Sequence, residues 1–241
     1  MAKYGKWIGG GLGWAFGGPI GAILGFALGS AVDNLKIEKS NGKLDNRTRP
    51  GDFGFSLVIL SAAVIKADGK ILKSELDFVR KFLKSQFGKI EGQEKMLLLR
   101  DVVKQDFSVS EVCLQIKYNL DYPSRLQLMH YLFGIAAADG HVDKSEYDLI
   151  KNIATYMGIS TKDFGSIKAM FYKDADSAYK ILEISSDATD SEIKSAYRKM
   201  AIKYHPDKLN HLGEEFQQAA KEKFQKVNDA YYTLKKERGF K

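Results

Sequence analysis

The sequence has one cysteine and four prolines in 241 residues. The lone Cys113 excludes an intrachain disulfide framework and every multi-thiolate zinc site. So few prolines, with 44% hydrophobic and 28% charged residues, argue for a globular chain without long disordered tracts. A concentrated basic segment is missing too. The 37 basic and 30 acidic side chains leave +7, spread as +1, +3, +1 and +2 over residues 1–35, 36–50, 51–175 and 176–241. A nucleic-acid domain needs a dense basic face to neutralise phosphates, so that class is disfavoured even for stretch 36–50 and the helix Glu192–Tyr204. There is also no G-x-x-x-x-G-K-[ST] phosphate loop, so the chain is not expected to hydrolyse ATP or to be an enzyme.

Glycine, by contrast, is crowded: ten of 22 fall in the first 34 residues. From Ile8 to Val32 there are 25 residues without a charge. As a helix this stretch is roughly 37 Å long, enough to cross a membrane core of about 30 Å. Gly9, Gly13, Gly17, Gly21, Gly25 and Gly29 recur every fourth residue and would line one face, allowing a second copy to pack closely. In water each would cost about 1 kcal/mol of helix stability relative to Ala. The pattern predicts a self-associating membrane anchor over residues 1–34, hence a homodimer. A cleavable signal peptide is a rival reading, with Lys3 and Lys6 as its basic end, but the apolar run is too long and too glycine-rich. A flexible tail is another, against which Trp7, Trp14, Phe16, Leu24 and Phe26 argue. Lys36, Lys39, Lys43, Arg47 and Arg49 follow the span, so the positive-inside rule places the body in the cytoplasm. Asn41-Gly42 and Pro50-Gly51 mark 35–51 as a basic linker.

Residues 67–79 read ADGKILKSELDFV and residues 138–150 read ADGHVDKSEYDLI, an internal duplication. In each copy an apolar helical run (Phe55–Ala67, Leu126–Ala138) stops at Asp-Gly. A new helix then opens, with Ser74-x-x-Asp77 and Ser145-x-x-Asp148 as the expected capping boxes. Glu91–Lys104 and Val109–Leu120 carry helical periodicity as well, making 52–174 an all-α bundle. A calcium-binding EF loop is excluded, because its first two ligand positions would be Val64 and Lys66, or Ile135 and Ala137. Two readings of the acidic residues remain. Asp-Gly stops one helix while Glu favours the start of the next; or Asp68, Glu75, Asp139 and Glu146 pool into a divalent-metal site. The duplicated ADG-x-[IV]-x-x-x-E pattern resembles the TerB domain, named for tellurite resistance, which implies an all-helical bundle with a suspected acidic metal site. On that alternative the protein is a metal-binding stress protein.

Residues 175–241 form a third domain. Tyr179 and Leu182 suit a short first helix, and Thr189-x-x-Glu192 is a capping box opening a second. The apolar line of that helix is Ile193, Tyr197, Met200 and Tyr204, and its other side carries Lys194, Arg198, Lys199 and Lys203. Pro206 breaks it within His205-Pro206-Asp207. A third helix runs through Phe216, Ala220, Phe224, Val227, Tyr231 and Leu234. Two antiparallel helices, a basic face and His-Pro-Asp at the turn, within EIKSAYRKMAIKYHPDK, resemble a J domain. The resemblance implies docking to an Hsp70 chaperone through His205, Pro206, Asp207, Lys194, Tyr197, Arg198, Lys199, Lys203 and Lys208, and stimulation of its ATPase, with no cofactor required. The Gly/Phe-rich segment and four-cysteine zinc module of other J proteins are absent from the sequence.

A glycine-rich span, a TerB-like bundle and a J domain in this order resemble the membrane-anchored DnaJ-like (DjlA-type) family. KYGKWIGGGLGWAFGG, HPDKL and ERGFK carry that likeness. It implies a single-pass protein of the bacterial inner membrane, with the bundle and J domain in the cytoplasm and a DnaK-type Hsp70 as partner.

Overall fold

The computed structural model describes residues 10–11, 14, 17–27, 53–172, 176–207 and 214–240, those of 214–219 for their backbone alone. Every regular element among them is helical. The chain divides into two compact units, Met1–Leu120 and Asp121–Lys241, so the division falls between the two copies of the duplicated motif.

The first unit holds α1 (17–27), α2 (Phe53–Ile65), α3 (Lys73–Val102) and α4 (Val109–Asn119). Helix α2, FGFSLVILSAAVI, has no charged residue and buries all but Phe55. A helix apolar all round belongs in a core, and α2 packs on α3 and α4. It ends at the first Asp-Gly turn, where Gly69 takes φ +77° and Asp68 Oδ1 accepts from the Lys70 N–H at 2.8 Å. Helix α3 is interrupted at Gly88 (φ 74°, ψ −178°), so the expected helix Glu91–Lys104 is its second limb. Gly92 lets the limbs approach: a Cβ there would lie 2.8 Å from the Leu83 carbonyl oxygen. Ser108 caps α4 by accepting from the Glu111 N–H at 3.3 Å.

Helix α1 buries Ile20, Ile23 and Ala27. Gln115 of α4 binds this stretch, accepting from the Ile20 N–H at 2.9 Å and donating to the Gly17 carbonyl at 2.7 Å. Gly17, Gly21 and Gly25 lie on this helix, whereas Gly9, Gly13 and Gly29 fall outside the described residues. At 1.5 Å per residue the described stretch 17–27 covers about 16 Å. Among the described residues no helix is long and apolar enough to cross a membrane. Most of the remaining predicted span, and the linker 35–51, lie outside the described residues.

The second unit holds α5 (Tyr122–Ala136), α6 (Lys144–Tyr156), α7 (Thr161–Ala169), α8 (Ser177–Ile181), α9 (Asp190–Lys203) and α10 (Glu214–Arg238). The duplication repeats in detail: Gly140 takes φ +89° and Asp139 Oδ1 accepts from the His141 N–H at 2.8 Å. The caps fall two residues before the expected ones. Glu75 accepts from the Leu72 N–H and Glu146 from the Asp143 N–H, each at 2.9 Å. Asp143 also accepts from the Ser145 N–H at 2.8 Å, so Ser145 is a donor inside the first turn and not the cap itself. Helix α5 packs on α6 and α7, α7 on α8, and α10 on α8, α9 and α5. The second half of the bundle and the C-terminal hairpin therefore share one compact unit.

Candidate functional site: the His-Pro-Asp turn and its basic helix

Helix α9 starts where Thr189 and Glu192 cap each other. The Glu192 N–H donates to Thr189 Oγ1 at 3.3 Å and Glu192 Oε2 accepts from the Thr189 N–H at 2.7 Å. Ile193 and Met200 of α9 and Val227 and Leu234 of α10 are buried, and the two helices pack on each other. Tyr197 joins the two helices, stacking on Tyr231 with centroids 4.2 Å apart and donating to Asn228 Oδ1 at 3.0 Å. The far side of α9 keeps Arg198 and Lys199 exposed. Lys194 is half-buried, its ammonium 5.3 Å from the centre of the Phe240 ring.

Pro206 cannot donate a backbone hydrogen bond, and the helix ends at Lys203. The next residues turn tightly, with the Asp207 N–H donating to His205 Nδ1 at 3.3 Å. The side chains of His205 and Asp207 are 51% and 75% exposed. The His205 ring meets the Phe224 ring at 76°, 5.9 Å between centroids, which orients it from beneath. His205, Asp207, Ala201 and Ile202 line an open depression of about 470 Å³, and Ile202 is 65% exposed. The turn thus offers an imidazole, a carboxylate and an apolar side chain beside a cationic strip. That combination suits docking on a surface with acidic and apolar parts. Lys208 lies outside the described residues.

Lys203 departs from the strip. It makes ion pairs with Asp163 of α7 and with Glu183, the latter at 2.6 Å. Asp163 also accepts from Tyr122 Oη at 2.7 Å, Ser160 Oγ at 2.6 Å and Tyr204 Oη at 3.2 Å. Burial acts to raise the Asp163 carboxyl, but the hydrogen bonds from Lys203, Ser160 and Tyr122 outweigh it and hold the group below its ordinary range. Burial likewise acts to lower Lys203, and its two carboxylate partners raise it instead. Tyr204, buried next to those carboxylates, is pushed well up. Ser160-x-x-Asp163 has the spacing of a helix cap, and Ser160 does cap α7, but nothing in the local sequence marks Asp163 or Glu183 as a partner of Lys203. The one hint is a glutamate set inside the apolar run Ile181-Leu182-Glu183-Ile184.

The four carboxylates considered for a metal are engaged in their own turns. Asp68 and Asp139 accept from the N–H two residues on, and Glu75 and Glu146 from the N–H three residues back. Glu75 and Glu146 are buried at 4% and 6% exposure in those caps. Among the described residues no group of three or more His, Cys, Asp or Glu side chains is placed to hold a metal ion.

Three family models match the chain in order. They are the co-chaperone DjlA transmembrane domain over residues 1–49, the tellurite resistance protein TerB over 55–169 and the DnaJ domain over 177–239. Curated relatives named co-chaperone protein DjlA align along the chain. The relative from Yersinia pseudotuberculosis is 27% identical with all of both chains covered. That from Photobacterium profundum is 24% identical over 99% of this chain and 100% of its own. The Vibrio vulnificus relative is 27% identical over 80% of each. No solved structure matches the chain significantly. With its three domains in this order and relatives spanning its full length, the chain belongs to the DjlA-type family of membrane-anchored, DnaJ-like co-chaperones.

Proposed function

We propose that the protein docks a cytosolic, DnaK-type Hsp70 on its C-terminal domain and stimulates that partner's ATPase at the inner membrane, in support of protein folding or the stress response. The observation that carries this reading is the exposed His205-Pro206-Asp207 turn at the end of α9, next to the open cations Arg198 and Lys199. Pro206 stiffens the turn, His205 and Asp207 supply its recognition groups, and Lys194, Arg198 and Lys199 steer it onto an acidic surface. Tyr197 fixes the strip against α10, and Lys208, next after the turn in the sequence, is a further candidate docking cation. The protein is a regulator and not an ATPase, and it needs no cofactor for this role. Basic residues 36–49 favour a single span with the bundle and J domain in the cytoplasm. The glycine ladder from Gly9 to Gly29 supports pairing of two copies in the membrane.

The test is steady-state ATP hydrolysis by a bacterial Hsp70 titrated with the full-length protein in detergent. Saturable stimulation is expected, with near-complete loss in His205→Gln. No stimulation by the unmutated protein would sink the reading, and full stimulation by His205→Gln would show that the turn is not the docking element.

A further inference from the structure

Two consecutive residues immediately before the His-Pro-Asp turn are tied to one buried carboxylate of the preceding bundle. Asp163 of α7 takes an ion pair from Lys203 and a hydrogen bond from Tyr204 Oη at 3.2 Å. Tyr122 and Ser160 fix the same carboxylate at 2.7 and 2.6 Å, so it is a preset anchor with little freedom. Glu183 completes the grip on Lys203 at 2.6 Å. Its backbone adopts φ +60°, and among the described residues it is the only non-glycine with positive φ. Glycine adopts that conformation without steric cost, whereas a glutamate does not. The side chain kept there, in spite of the strain, is one whose carboxylate meets Lys203. His205 and Asp207 stay exposed, so this grip leaves the turn open to a partner.

We propose that Asp163 and Glu183 are positioning residues for Hsp70 activation: by clasping Lys203 and Tyr204 they hold the last turn of α9 so that the His-Pro-Asp turn is presented in one orientation. The proposal rests on the co-chaperone reading above. Lys203 then serves the turn from within and is not part of the docking strip, unlike Arg198 and Lys199. Without the clasp the turn is competent for only part of the time, and apparent affinity for the partner falls by that fraction while the activity of the bound complex remains.

The experiment titrates a bacterial Hsp70 with full-length wild type, Glu183→Gly and Lys203→Met in detergent, reading ATP hydrolysis, with a thermal melt of each protein. Glu183→Gly separates positioning from folding, because it removes a clasp carboxylate while relieving the strained backbone. Its melting temperature is expected to equal or exceed that of wild type. The concentration giving half-maximal stimulation is expected to rise about three- to tenfold in both variants, with the plateau retained. An unchanged half-maximal concentration in either variant would overturn the proposal. So would a lowered one, which would make the clasp a restraint. A rise in Glu183→Gly accompanied by a lower melting temperature would also overturn it, assigning the loss to folding. Failure of wild type itself to stimulate would be a different result, one that removes the co-chaperone reading.

Discussion

Lys223 on α10 is only 2% exposed, with its ammonium 4.6 Å from the centre of the Tyr204 ring. With Gln127, Lys203 and His205 it lines a void of about 10 Å³, room for about one water. Burial pushes its amine down from 10.5 to about 7, Asp163 opposing that shift and Lys203 adding to it. Between pH 7 and 10.5 the unfolded chain therefore holds a proton on this lysine that the folded chain has released. Stability rises with pH wherever the unfolded state binds more protons. The cost of folding with Lys223 is largest below pH 7 and fades as pH climbs towards 10.5. At 1.36 kcal/mol per pKa unit the ceiling on this cost is about 5 kcal/mol, and about 2 kcal/mol of it is recovered between pH 7 and pH 9. One other resolved shift acts in this window, with the opposite sign: the buried Cys113 thiol is pushed up from 9.0 to about 12, so the unfolded chain sheds its proton first and about 0.4 kcal/mol is lost by pH 9. Tyr122, Tyr172, Tyr197 and Tyr204 are pushed up by burial, and His130 is pushed well down by its own.

The perturbation is Lys223→Met, which keeps an unbranched side chain over Tyr204 and removes the amine. It forfeits a cation–π contact of about 0.5–2 kcal/mol, so the net gain at pH 7 is about 2–4 kcal/mol. The assay is urea unfolding of full-length protein in detergent, followed by far-UV circular dichroism at pH 7, 8 and 9. Wild type is expected to gain about 2 kcal/mol across that range, while Lys223→Met starts higher and does not rise, the unfolded Cys113 thiolate taking back about 0.4 kcal/mol by pH 9. Parallel curves for the two proteins, or a variant less stable than wild type at pH 7, would refute the reasoning.

Two further predictions concern the first unit. Gly92→Ala drives a methyl to 2.8 Å from the Leu83 carbonyl oxygen, and Gly88→Ala puts a side chain at φ 74°, ψ −178°. Each is expected to lower the unfolding free energy read from urea titration, by about 1–3 kcal/mol for Gly88→Ala. Burial pushes the Cys113 thiol up to about 12. Native protein at pH 8 should therefore leave a chromogenic disulfide reagent unreacted for hours, and denaturant should release one thiol per chain at once.

The elements set by local chemistry were readable in the sequence. Thr189 and Glu192 cap α9 as their spacing requires, the duplicated Asp-Gly turns take the same positive-φ glycine conformation, and Pro206 follows the end of the basic helix. Each depends on groups two to four residues apart. The errors of register, such as the caps at Leu72 and Asp143, arose because Ser and Asp recur inside the first turn, where several side chains compete for the same N–H groups. What could not be read depends on long separations. Asp163 looks like an ordinary first-turn acid of α7 until Tyr204, 41 residues later, arrives beside it. Lys203 shares its spacing with Arg198 and Lys199, and Lys223 sits in a polar helix. Periodicity assigns such a lysine to a helix face, but it does not say whether another helix covers that face.

The clasp is poorly explained as a device for stability. Bringing Asp163 to 4% exposure forfeits its hydration, and the ion pair with Lys203 regains that loss only with near-ideal geometry and every other lone pair occupied. An apolar pair of the same volume in this place would commonly be as stable or more so. Glu183 adds the strain of a left-handed backbone to the same account. A generic stabilising contact would not need three hydroxyl donors, two carboxylates and a strained loop. What such a network supplies, and an apolar patch does not, is direction: hydrogen bonds from Tyr122, Ser160 and Tyr204 fix the carboxylate, the carboxylate fixes Lys203, and Lys203 and Tyr204 fix the end of α9. The residue that follows is His205. For a turn of three residues that must meet a partner in a defined pose, direction at its point of departure is the property that matters, and it is there that Asp163 meets the C-terminal domain.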